Sequence, residues 1–190
     1  MMSDFETRLV EIANGEFQTY GGHRESDGVL GPRIETYWTD LQWTFPGVGT
    51  PWSAAFVCWC LLKAGATEDD FPFHARHAAF VHWTIANEKA GTGLFRAVRF
   101  DLAPPEPGDL VHWNQPGGTF DFAYATTHKS YSSHSAIVVA LGQDSRGRFA
   151  RTIGGNENNS VGTTRVGLNA AGLIVQRADS PFISLIRTLK

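Results

Sequence analysis

The sequence predicts an α+β domain, with N-terminal helices packed on an antiparallel β-sheet. Three observations lead there. Helical apolar patterns fill the first half, the strongest running from Thr50 to Gly65. A stiff extended connector, Leu102-Ala103-Pro104-Pro105-Glu106-Pro107-Gly108, closes that half. Beyond it lie short β-branched runs divided by turn residues. Helices first and a strand meander after is the α+β arrangement. No internal repeat, linker or low-complexity stretch divides residues 1–190, so one domain is expected.

Residues 4–14 read as a first amphipathic helix. Phe5, Leu9, Ile12 and Ala13 share a face, and Gly15 lies beyond the end. From Tyr20 to Gly49 no clean period appears, and a loop is expected. Its Tyr37, Trp38, Trp43 and Phe45 either line a groove or pin the loop to the core. The next helix organises the chain. Thr50 is its expected cap, Pro51 suits the first helical position, and Gly65 is a left-handed stop. Nearly all between is apolar or small, so this helix is expected to be covered on most sides. Ser53 is the exception. In the first turn it lies near unpaired N–H groups and the positive end of the helix dipole, which stabilises an anionic nucleophile. Taken alone, this stretch reads more plainly as a capping hydroxyl. Cys58 and Cys60 point about 200° apart around the axis and are expected to be packing thiols, unbonded to each other.

Thr67 to Pro72 is an acidic turn, and a further helix is expected from about His74 to Ala90, ended by Gly91-Thr92-Gly93. Residues 94–100 suit an edge strand. In the β half, strands are expected over 109–113, 135–141 and 148–153, with a polar excursion over 115–131 and a turn over 142–147. Residues 161–166, 172–178 and 181–188 are further strand candidates.

Net charge of −3 leaves no basic excess to neutralise phosphates, which argues against a general nucleic-acid binder. No apolar run is long enough to span a bilayer, and the N-terminus has no signal core. The chain is therefore expected to be made in the cytoplasm, with any work outside requiring another route. His74 and His77, three apart on the expected helix, share a face. A third ligand is missing and no HExxH pattern occurs, so no metal site is expected. His112 lies within a strand and reads as structural. His134 opens the strongest strand, where the sheet fixes its backbone, a suitable place for a general base.

Four pieces stand in one order: Pro51-Trp52-Ser53-Ala54-Ala55-Phe56-Val57, Pro107-Gly108-Asp109-Leu110-Val111, Ser133-His134-Ser135-Ala136-Ile137-Val138 and Ile153-Gly154-Gly155-Asn156. That order resembles the papain-like CHAP and NlpC-type amidohydrolase/peptidase superfamily over roughly residues 50–160. There a Trp-Cys pair opens a helix, Pro-Gly-Asp precedes a strand, a His opens the next and a polar residue ends the third. The stretch Phe71 to Phe80 also looks like an uncharacterised branch that carries Ser at the Cys position. The resemblance implies a papain-like fold, with Ser53 as nucleophile, His134 as base and Asn156 as orienter, and an oxyanion hole at the helix start. Trp52, His77 and Trp113 are the expected substrate-binding residues. The implied activity is hydrolysis of a peptidoglycan amide bond without metal or organic cofactor. The implied setting is a secreted antibacterial effector, such as a type VI effector with an immunity protein as partner, or a phage lysis enzyme. Such a hydrolase would act in the periplasm or cell wall. The departure is Ser53 itself. It is a true serine nucleophile, a mark of lost catalysis in a wall- or protein-binding module, or an engineered Cys→Ser change. A cytosolic amidase or acyltransferase is the other alternative.

Overall fold

The computed structural model describes residues 2–190. The chain runs α1 (Asp4–Tyr20), α2 (Leu30–Asp40), α3 (Ser53–Ala64), α4 (His77–Ala90), β1 (Phe95–Arg99), β2 (Leu110–Asn114), α5 (Phe122–Ala125), β3 (Ser133–Asp144), β4 (Gly147–Glu157), β5 (Ser160–Gly167) and β6 (Phe182–Thr188). The α+β expectation holds: helices precede a six-stranded sheet in the order β1-β6-β2-β3-β4-β5 whose paired strands are all antiparallel. β2 to β5 form a meander, and β6 returns between β1 and β2. Among the described residues no helix is long and apolar enough to cross a membrane.

α3 is the centre of the core. It packs on α1, α2, β3 and β4, and Trp52, Phe56 and Leu61 are fully buried. Each such side chain contributes roughly 1.5–3 kcal/mol relative to an exposed one. Gly65, at φ 105°, stops the helix as expected. Its start differs from expectation. Trp52 is the N-cap, Thr50 does not cap, and no side chain caps the first turn. The approach of α3 to the sheet depends on Gly155, where a Cβ would collide with Phe56 and Trp52.

Other boundaries also moved. α1 continues through Gly15 to Tyr20, because Glu16 is buried against α2 rather than solvated. Its carboxylate accepts from Arg33 Nε (3.0 Å) and from Tyr37 Oη (2.5 Å), and the Arg33 guanidinium lies 4.4 Å over the Trp59 ring. The expected 20–49 loop holds α2. Tyr37 and Trp38 are buried on it, so they fasten the segment to the core. α4 begins at His77, not His74. Residues 172–178 form no strand beyond one bridge, Leu168 to Ile174. Ile174 is instead buried in a second apolar cluster with Val111, Trp113, Val138 and Leu185, on the sheet face opposite the helices.

The Pro-Gly-Asp piece is structural. Gly108 adopts φ +100° where a Cβ would press on Glu6 of α1. The buried Asp109 carboxylate accepts the N–H groups of Glu106 and Thr188, both at 2.9 Å.

Candidate active site

Ser53 is the first residue of α3, 7% exposed. Because the N-cap Trp52 makes no side-chain cap, the first-turn N–H groups lack side-chain partners among the described residues. The Ser53 Oγ is hydrogen-bonded at 2.7 Å to His77 Nε2. His77 opens α4, whose N-cap Arg76 also offers no side-chain cap. Burial, with His134 and His112 nearby, holds the His77 ring well below the ordinary imidazole range, so it is neutral at neutral pH. Its Nδ1 is buried and has no hydrogen-bond partner among the described residues. Ser53, Ala54, His77, Gln115 and Tyr131 are among the residues lining one cleft of about 430 Å³.

The sequence expectation gave Ser53 a different partner, His134. The reason it differs is strand parity. Alternation along β3 puts His134 on the face of Ala136 and Val138, in the second cluster, whereas α3 reaches the sheet from the other face. His134 sits opposite Trp113 of β2, ring centroids 4.8 Å apart. Its ring is still near His77, at 5.3 Å between centroids.

Asn156, the expected orienter, makes no hydrogen bond to the buried Nε2 of His134. The residue facing it is Glu157, Oε1 to Nε2 3.4 Å, both atoms buried and without a hydrogen bond. Thr164 donates to Glu157 Oε2 at 3.0 Å and holds the carboxylate. A β-bulge makes the exchange. Gly155 and Asn156 stand opposite one residue of β5, and Asn156 is left-handed at φ 58°. One extra residue reverses the faces that follow. Gly154 leaves the room, since a Cβ there would meet both Glu157 and His134. Trp113, His134, Asn156 and Glu157 help line a second cleft of about 220 Å³, which shares Gln115 with the first.

Two other expectations need correction. Trp52, expected to bind substrate, is fully buried, stacks on Tyr37 and donates Nε1–H to Glu25 at 3.0 Å. His74 precedes α4 and accepts the Arg76 N–H on Nδ1, so it shares no face with His77. No group of three or more metal-ligating side chains is gathered among the described residues. Cys58 and Cys60 are free and buried, and burial pushes the Cys58 thiol up to about 12. His112 lies within β2, as expected. It is buried between Ser135 Oγ (2.8 Å) and Tyr131 Oη (3.1 Å), and burial lowers it to about 3. Sequence reasoning missed Glu157, Tyr131 and Gln115. Only Glu157 carried a signal, as the carboxylate next to Asn156.

Over residues 20–184 the chain matches a family described as "Uncharacterized protein conserved in bacteria (DUF2272)". No curated protein and no solved structure matches it. With most of its length and every residue of both clefts inside that match, the chain belongs to the DUF2272 family.

Proposed function

We propose that the chain is a papain-like amide hydrolase with a serine nucleophile, acting on the peptides of peptidoglycan. The observation that carries this reading is the 2.7 Å hydrogen bond between Ser53 Oγ, at an uncapped helix start, and the buried neutral imidazole of His77. A neutral Nε2 accepts the Ser53 proton as the hydroxyl oxygen attacks the substrate carbonyl carbon. The free first-turn N–H groups stabilise the oxygen that gains negative charge. As the tetrahedral intermediate collapses, the His77 imidazolium gives its proton to the departing amine nitrogen. Water, deprotonated by the same ring, then releases the acyl group and restores Ser53. His134, with Glu157 beside it, is the second imidazole of the site.

Incubation with purified sacculi tests the reading. Wild-type protein is expected to release soluble fragments. Ser53→Ala is expected to release none, and His77→Ala to lose roughly 10²–10⁴-fold in rate. Full activity in Ser53→Ala refutes the serine mechanism. If His134→Ala is as damaging as His77→Ala, the two rings act together; if it is silent, His134 serves packing. One observation favours a second reading, a binding module without catalysis: among the described residues no third group orients His77 through Nδ1. Binding to sacculi without release would establish it. Delivery to the cell wall as an antibacterial effector, with an immunity protein, belongs to the same proposal.

A further inference from the structure

Beside the Ser53 cleft runs a larger groove of about 840 Å³, lined by residues of segment 72–86 and by Lys129 and Ser130. The two are neighbours along two segments. Ala75 and His77 line one, His74 and Arg76 the other; Tyr131 to Ser133 line one, Lys129 and Ser130 the other. The groove's polar groups are mostly hydrogen-bond donors. Arg76 donates Nη1–H to Ser130 Oγ at 2.8 Å, which leaves the Ser130 hydroxyl proton free to donate. His74 accepts a backbone N–H on Nδ1, so the proton of its neutral ring is on Nε2. His82 donates Nδ1–H to the Ala125 carbonyl when neutral. No Asp or Glu lines the groove, and neither Arg76 nor Lys129 has a carboxylate partner within 4.0 Å among the described residues. Trp83 and small apolar residues supply the rest of its wall. In a chain of net charge −3, two unpaired cations beside a Trp form a local exception.

We propose that this groove is a subsite for a carboxylate-bearing peptide, with Arg76 and Lys129 pairing the carboxylate and Trp83 covering the adjoining aliphatic chain. As a substrate subsite it rests on the hydrolase reading; as a binding site it does not. A planar guanidinium with Ser130 beside it suits a carboxylate held by two oxygens. Hydrophobic contact along Trp83 adds affinity without demanding one side chain. The arrangement directs the charged end of a peptide away from Ser53 and an uncharged amide toward it.

The test separates binding from turnover. Binding of the peptidoglycan stem tetrapeptide with free carboxylates is measured by calorimetry on the Ser53→Ala protein, against the same peptide with every carboxylate amidated. The free acid is expected to bind at least about fivefold tighter. That preference is expected to vanish in Ser53→Ala carrying Arg76→Gln and Lys129→Gln, with affinity for the amide unchanged. Both positions are exposed, so the fold is retained. Equal affinities, binding of neither peptide, or a preference that survives the double substitution would each overturn the subsite. Release from sacculi by wild-type protein is scored separately. No release with a full carboxylate preference removes the hydrolase reading and leaves the groove's assignment standing.

Discussion

On the proposed hydrolase reading, a hydroxyl occupies the helix tip at position 53 where a papain-like enzyme would carry a thiol, and this changes what its neighbours must do. A thiol there is ionised with little help, whereas a hydroxyl needs a base in contact. His77 is that contact. Ser53→Cys is therefore expected to give a thiolate stabilised by the helix start and His77, alkylated by iodoacetamide faster than a free cysteine. Mass spectrometry of the modified peptide checks this, and the buried Cys58 and Cys60 of the wild type are expected to stay unmodified. The same pairing sets a pH dependence. Because burial lowers the His77 pKa, its ring loses its proton below the ordinary imidazole range and is a base at neutral pH. Modification of Ser53 by a fluorophosphonate probe is expected to stay flat from pH 8 through the ordinary imidazole range and to fall only at lower pH. A rate that drops near 6.5 would show an ordinary imidazole instead. From the sequence, Ser53 and His134 were legible as residue types in order. The pairing with His77 was not, because it depends on where α4 starts and on which face of β3 each side chain takes.

Elements were legible where period and punctuation agreed. α3 and β3 show this, since one uninterrupted apolar or β-branched run fixed each centre and only the ends moved. α2 was lost although Leu30, Ile34, Tyr37, Trp38 and Leu41 repeat at helical spacing, because Gly31-Pro32 reads as a break. Proline in a first turn costs no intrahelical hydrogen bond. The Asp27 carboxylate accepts the N–H groups of Val29 and Leu30, supplying the cap that Val29 cannot, and those bonds lower its pKa to about 2. Gly15 misled in the opposite direction, since it is exposed in mid-helix with open space around its missing Cβ. Gly15→Ala is accordingly expected to stabilise the protein by about 0.5–1 kcal/mol in chemical unfolding. Gly155→Ala is expected to do the reverse. Its methyl would enter Phe56 and Trp52 where α3 meets β4, and overpacking of this kind costs about 1–3 kcal/mol. Because that contact also sets the position of the α3 start, Gly155→Ala should slow fluorophosphonate labelling of Ser53, while Gly15→Ala leaves it unchanged.

Across the whole molecule, buried titratable groups oppose one another, and their balance sets how the fold answers acid. His77 and His112 are buried and neutral, with folded pKa values below those of the unfolded chain, His112 at about 3. As pH falls from about 6.5, the unfolded chain takes up protons that the folded chain refuses, so each ring contributes stability that is lost on acidification, that of His112 down to about pH 3. Asp109 acts with the opposite sign. Burial raises its carboxyl to about 7, so between about 4 and 7 the folded chain holds a proton that the unfolded chain has released, and stability falls as pH rises. Two rings against one carboxyl leave a net proton uptake on unfolding near pH 5, and the protein is expected to lose stability on acidification through that window. His112→Gln keeps polar groups for Ser135 and Tyr131 and removes one titration. Its urea midpoint should be lower than wild type at pH 7 yet fall less between pH 6.5 and 4.5, because only His77 then opposes Asp109. A variant whose midpoint falls as steeply as wild type over that range would show that His112 is not among the rings that resist protonation.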